Sequence, residues 1–277
     1  MINFNCTSLI CPLCGASLIQ KGGSLVCPEN HTFDIARQGY VNLLPVQQKH
    51  SLSPGDTPEM LAARRRFLNE GHYAPICADV VSALTAIPGG VSHIVDAGCG
   101  EGYYTSEFGR HFPEARLIGA DISKAAVKLA ASRTKAISWL TATASHLPVA
   151  DGSADAVTAI FSLLCEEEFA RVLRPGGRVI EVTSGTDHLI ELKRIIYDDV
   201  FEQHKRPKAL EGRLREIGCE LRQFTVTLNG VQLADLLWMT PHTMRIKPEK
   251  RALLEATPFL TLTVQYYVRV LEKPSHR

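Results

Sequence analysis

From residue 92 onwards the chain alternates short apolar runs with stretches of helical period. "HIVDA", "ARLIGADIS", "AISWLTATA", "ADAVTAIFS" and "GGRVIEVTS" read as strands. "KAAVKLAASRT" and "EEEFARVLRPGG" read as helices between them. Runs of this length, with few polar positions, suit strands buried on both faces. Strand–helix alternation implies parallel pairing with right-handed crossovers, hence an α/β, Rossmann-like fold. Further on, the pattern predicts a helix near 187–203, a strand, turn and helix in "LRQFTVTLNGVQLADLLWMTP", and a closing strand in "LTLTVQYYVRVLE".

Upstream the texture differs. "TPEMLAARRRFLNEGHY" predicts a helix with Thr57 as N-cap, Pro58 in the first turn and Gly71 as the stop. A second helix is expected over 75–87, ended by "PGG". The polar, proline-containing "RQGYVNLLPVQQKHSLSPGDTPE" reads as a long loop. Three units are therefore expected: a cysteine-rich lobe over 1–35, a joining segment with helices over 36–90, and the α/β domain over 91–277.

Composition narrows the class. At 45% hydrophobic and 21% charged, the chain can build a substantial core and is not of disordered type. No apolar run is long enough for a membrane span, and the N-terminus lacks a secretory pattern. Four of the eight cysteines, Cys77, Cys99, Cys165 and Cys219, are scattered like reduced thiols, which points to the cytoplasm. A net charge of +1 is modest for a nucleic-acid binder, which leaves "ARRRF" (63–67) and "EQHKRPK" (202–208) as the basic candidates.

The remaining cysteines, Cys6, Cys11, Cys14 and Cys27, crowd the lobe. Cys11-x2-Cys14 and Cys27-x3-His31 form two chelating pairs, the spacing of a tetrahedral zinc site. Cys6 is expected to be outside it. With all four positions filled by protein, the metal would be structural, because a catalytic zinc keeps an open position for water. So short a lobe needs such a staple.

"VDAGCGEGYYT" places Gly98, Gly100 and Gly102 between a strand and a helix, where glycine permits a sharp turn and close ligand approach. Asp121 ends the next strand, placed to bind two ribose hydroxyls. The G-x-G-x-G spacing, Asp96 two residues before the first glycine, and "LRPGG" before a late strand resemble class I S-adenosylmethionine-dependent methyltransferases. That resemblance puts "TASHLP" (143–148), with Ser145, beside the adenine.

"HTFDIARQGYVNLLPVQQKH", "GDTPEMLAARRRFLNEGHY", "DAGCGEGYYT" and "GTDHLIELK" are longer and more specific. Through them nearly the whole chain resembles the bacterial ribosomal RNA large-subunit guanine-N1 methyltransferase A family. The resemblance implies a zinc lobe that helps recognise an RNA hairpin, zinc on Cys11, Cys14, Cys27 and His31, and S-adenosylmethionine contacts from Tyr73, Gly100, Glu101 and His188. Arg64, Arg65, Arg66 and Lys49 would meet phosphates. The expected partner is a large-subunit rRNA hairpin, with no membrane; monomer and homodimer both stay open.

Two positions depart from the family pattern. Leu163 stands where a proline is usual, and Met244 where a tryptophan follows "MTP". Both fall where an acceptor would bind, and a flat aromatic there would stack on a flipped base. An alternative is therefore a same-scaffold enzyme with a small acceptor, or one cyclising S-adenosylmethionine itself to azetidine-2-carboxylate and methylthioadenosine. A non-catalytic RNA-binding module is the third reading.

Overall fold

A computed structural model describes residues 4–48, 55–198, 206–210, 212–244 and 246–275. The lobe is a three-stranded antiparallel sheet of β1 (Ile19–Lys21), β2 (Ser24–Val26) and β3 (Thr32–Asp34). β4 (Tyr40–Asn42) then leads to α1 (Pro58–Asn69) and α2 (Ala74–Thr85). The α/β part follows as β5 (His93–Ala97), α3 (Tyr103–His111), β6 (Arg116–Asp121), α4 (Lys124–Arg133), β7 (Ser138–Thr141), β8 (Ala154–Ile160), α5 (Glu166–Val172) and β9 (Leu173–Ser184). α6 (Ile190–Ile196), β10 (Arg215–Leu228), α7 (Gly230–Trp238), α8 (Pro248–Ala256) and β11 (Leu260–Glu272) complete it.

One eight-stranded sheet has the order β10-β11-β9-β8-β5-β6-β7-β4. β4 to β9 pair in parallel, while β11 joins β9, and β10 joins β11, antiparallel. The chain steps outward from β5 through β6 to β7, then crosses back to β8 and β9. The turns after β5 and β8 therefore open side by side at the point where ligands bind in such sheets.

α1 follows its sequence signals: the Thr57 hydroxyl accepts from the Met60 amide at 3.3 Å, and Gly71 has a φ of +80°. Other elements differ from the expectation. Residues 40–42 are not loop but the edge strand of the main sheet, because Tyr40–Asn42 pairs with Trp139–Thr141. No local pattern marks so short a strand. α6 ends at Ile196, and 199–203 of the expected helix lie outside the described residues. α8 was not expected at all: its polar "PEKR" start obscures an apolar face of which Leu254 is the buried member.

The lobe is continuous with the sheet. Leu9, Leu18 and Leu25 share one apolar cluster with Val95, Val157 and Phe169 of α5. Leu9 also bridges Val149, and the Ser8 hydroxyl meets His93 Nε2 at 3.1 Å. On the opposite face α1, α2, α3, α4, α6 and α7 contribute to a second cluster.

Trp139 belongs to that second cluster, fully buried, its indole donating to the Thr134 carbonyl at 2.9 Å. A Cβ on Gly119 would collide with its six-membered ring, and one on Gly102 would come within 2.8 Å. Gly119→Ala should therefore overpack the layer at a cost of about 1–3 kcal/mol. Urea unfolding would show it as a lowered midpoint with unchanged slope; an unchanged midpoint would mean that the ring has room to shift.

Candidate functional site

In the lobe, the ligand atoms of Cys11, Cys14, Cys27 and His31 all lie within 4.8 Å of one another. Cys14 Sγ is 3.7 Å from Cys27 Sγ, and His31 Nδ1 is 3.5 Å from Cys11 Sγ and 3.4 Å from Cys27 Sγ. Tetrahedral zinc at ordinary bond lengths requires separations of about 3.8 Å between sulfurs and about 3.6 Å between sulfur and nitrogen. The donor set thus suits zinc in both chemistry and spacing. Cys6 is outside it, its thiol donating to the Phe4 carbonyl at 3.3 Å.

The glycine turn runs from β5 into α3 with φ of +86° at Gly98, +55° at Gly100 and +85° at Gly102. Gly98 and Cys99 both donate to the Ala120 carbonyl, at 2.8 and 3.0 Å, which clamps the turn to β6. A Cβ on Gly98 would overlap the Ser162 side chain, whereas Gly100 faces open space. Asp121 holds the turn from the other side: its Oδ2 accepts from the Gly100 amide at 2.9 Å and its Oδ1 from Ser123 at 2.8 Å. Burial raises the Asp121 pKa against these two amides.

Asp96 lies beneath the turn, 2% exposed, accepting from Thr105 at 2.5 Å and Thr158 at 2.7 Å. Burial pushes its pKa up to about 6, against both hydroxyls. It lines neither of the two cavities at this end of the sheet.

The first is a narrow cleft of about 50 Å³ over the turn, lined by Gly98, Gly100, Glu101, Tyr73 and Tyr104 among others. The second, of about 650 Å³, is lined by Tyr73 and His188 together with Asp56, Lys193 and His242 among others. Arg64, Tyr73, Phe161 and Met239 line both, so the two are continuous. Tyr73 is thus brought to the glycine turn from a remote position, and His188 to the larger cavity beside it, its ring centroid 6.5 Å from that of Tyr73. Ser145 stands apart: it is exposed, its hydroxyl 3.0 Å from Thr143 Oγ1, and it lines neither cavity.

Two buried polar atoms by the cleft, Glu101 Oε1 and Tyr104 OH, have no hydrogen-bond partner among the described residues. The other Glu101 oxygen is paired with Arg133, whose Nε donates at 2.7 Å. Unpaired buried donors and acceptors beside an open Gly100 suit a polar ligand such as S-adenosylmethionine.

Sequence reasoning missed Phe161. It follows β8 at a φ of +50°, 40% exposed, with its ring centroid 6.4 Å from Tyr73 and 5.6 Å from His188. Its place at the carboxyl end of a strand beside the switch point was the available signal. Strain of this kind costs about 1–3 kcal/mol and concentrates at functional sites. Leu163, expected near the acceptor, is instead 71% exposed and lines neither cavity. The Met244 side chain and Lys49 lie outside the described residues.

The three consecutive arginines do not form one phosphate-binding patch. Arg64 pairs with Asp56 at 2.8 Å, Arg66 pairs with Asp235 of α7 at 2.5 Å, and Arg65 donates to Ser132 at 3.0 Å. Successive helical positions point about 100° apart, so three in a row reach three different neighbours.

Residues 9–52 match the family described as RlmA, N-terminal, a zinc ribbon, and residues 94–177 match one described as a methyltransferase domain. A 23S rRNA (guanine(748)-N(1))-methyltransferase of Streptomyces fradiae is 34% identical over 88% of each chain. YxjB of Bacillus subtilis (strain 168), named for 23S rRNA guanine-N1 methylation, is 32% identical over 92% of this chain and 93% of its own. A malonyl-acyl-carrier-protein O-methyltransferase of Hahella chejuensis is 36% identical, but over only 36% of this chain and 39% of its own.

Proposed function

The chain belongs to the family of bacterial 23S rRNA guanine-N1 methyltransferases, and from that premise we propose that it methylates N1 of a guanine in a large-subunit rRNA hairpin. The observation that carries this is the span of the similarity: it covers the zinc lobe as well as the methyltransferase domain, in relatives of nearly the same length.

S-adenosylmethionine, when bound, supplies an electrophilic methyl group on a sulfonium that is already a good leaving group. The protein's task is then alignment and exclusion of water. Gly98 and Gly100 let the ligand approach the backbone, Tyr73, Glu101 and His188 contact it, and Asp121 faces the ribose; Ser145, which lines neither cavity, is left out of this contact set. Asp96 acts from beneath by fixing the turn through Thr105 and Thr158. Zinc on Cys11, Cys14, Cys27 and His31 is structural and fixes the lobe.

The organisation proposed is a lobe over 1–35, a joining segment over 36–90 that lends β4 to the sheet, and the methyltransferase domain over 91–277. Among the described residues no helix is long and apolar enough to cross a membrane. A cytoplasmic location belongs to the same proposal, since that is where an rRNA substrate would be met. Phe161, 40% exposed beside the His188 ring, offers a flipped base an aromatic face to stack on. Leu163, which the small-acceptor alternative would place in an apolar pocket, is 71% exposed.

The test is incubation with S-adenosylmethionine, with and without an unmodified 23S rRNA transcript, followed by mass spectrometry. S-adenosylhomocysteine should appear only with the RNA. Methylthioadenosine without RNA would overturn the reading in favour of cofactor cyclisation.

A further inference from the structure

Guanine N1 carries a proton at neutral pH, and that proton must leave as the methyl group arrives. Resting on the function above, we propose that Asp56 binds the Watson–Crick edge of the target guanine and accepts its N1 proton.

Asp56 is the only carboxylate among the described residues that line the 650 Å³ cavity. It is held firmly yet incompletely. Arg64 donates from Nε at 3.1 Å and Nη2 at 2.8 Å, and both bonds fall on Oδ2. Oδ1 has no hydrogen-bond partner among the described residues. Arg64 is itself anchored to the Met239 carbonyl at 3.1 Å and lines both cavities. The carboxylate therefore faces the larger space, next to the Arg64 side chain that borders both cavities. The preceding Gly55 fixes its backbone: at a φ of +90°, a Cβ there would lie 2.8 Å from Ser123 Cβ, at the cap of α4.

The chemistry selects a carboxylate over the other cavity groups. Guanine presents two adjacent donors, N1–H and the 2-amino group, whereas adenine presents an acceptor at N1. A carboxylate is acceptor-only and matches the first pattern while rejecting the second. An imidazole offers at most one acceptor atom. His188 already uses Nδ1 towards the Gln265 carbonyl at 2.9 Å, and His242 uses Nδ1 towards the Tyr197 hydroxyl at 2.8 Å. In the step itself the N1–H bond breaks and its proton passes to Asp56. The freed N1 electron pair forms the bond to the methyl carbon. The carbon–sulfur bond breaks with its pair remaining on sulfur, giving S-adenosylhomocysteine and N1-methylguanine. The Arg64 guanidinium stays beside the carboxylate and holds it in place through the step.

Asp56→Asn tests this, because the amide oxygen still accepts from Arg64. With the 23S rRNA transcript, the variant should keep its unfolding midpoint and its calorimetric affinities for S-adenosylmethionine and RNA. Its single-turnover methylation rate should fall by about 100-fold or more, the usual scale of a lost general base. A rate within about threefold of wild type would overturn the proposal. So would an equal loss of S-adenosylmethionine affinity, which would place Asp56 behind Arg64 on the cofactor side. A reverse-transcription stop maps the methylated guanine, and a synthetic hairpin with inosine there lacks the 2-amino group. Inosine should slow the wild type by about tenfold and Asp56→Asn hardly further; equal losses in both would overturn the recognition role. A wild-type protein inactive on the transcript fails the parent reading instead, and visibly so, before any variant is compared.

Discussion

Replacing Cys14 by Ser should empty the zinc site and lower the thermal midpoint of the whole protein. Cys14 is the exposed member of the four, so its own packing contributes little, and the effect isolates the metal. Structural zinc contributes about 10–16 kcal/mol of apparent binding free energy in small peptides. Three strands of three residues each cannot replace that with a core of their own. The damage should spread, because Leu9, Leu18 and Leu25 belong to the cluster under the sheet. Elemental analysis should fall from one zinc per chain to well below it, with calorimetry showing the lowered midpoint. Cys6→Ser should keep the full metal content, since Cys6 stands outside the cluster. Unchanged zinc in the Cys14 variant would remove the site.

Gly98→Ala should cripple S-adenosylmethionine binding while leaving most of the fold standing. Two costs combine at this position. A side chain at a φ of +86° costs about 1–2 kcal/mol in backbone strain. Its Cβ would also lie 2.7 Å from Ser162 Cβ and overlap the Ser162 hydroxyl, so the turn after β8 must move. The turn cannot yield easily on its other side, where the Gly98 and Cys99 amides share the Ala120 carbonyl. Calorimetry should show affinity reduced by about tenfold or more, each tenfold being about 1.4 kcal/mol. Gly152→Ala is the control: φ is +60° there with nothing within 4 Å, so it should pay the strain in stability and spare the affinity. Wild-type affinity in the Gly98 variant would mean that the close approach to Ser162 is incidental.

Both expectations concern positions that stand out in the sequence. Cys14 belongs to a pair two residues apart, and Gly98 opens a glycine triplet between a strand and a helix. Such sites are readable because their chemistry depends on short-range spacing, which one turn of backbone enforces. The strands of the central sheet were readable for a related reason: a strand buried on both faces is apolar throughout, as in Ala154–Ile160. β4 and α8 were not. A three-residue edge strand exists only because β7 is there to pair with, and α8 is mostly exposed.

The larger cavity, the one proposed to take the acceptor, was the least readable part. Asp56 looks like a loop residue before a helix, Arg64 like one of three surface arginines, and Phe161 like the end of an apolar run. They meet because Arg64 of α1 reaches back to Asp56 and across to the Met239 carbonyl, lining one cavity with Phe161 after β8.

The sequence by itself determined the zinc ligands' spacing, the glycine turn, the parallel α/β core and the family, all consequences of patterns closed within about thirty residues. Only the tertiary structure decided that the lobe shares a core with the sheet, that Arg64 turns inward to a single carboxylate, and which aromatic rings line the larger cavity. Those depend on contacts between residues far apart in the chain, whose partners are set by how the layers pack, and no local pattern encodes that choice.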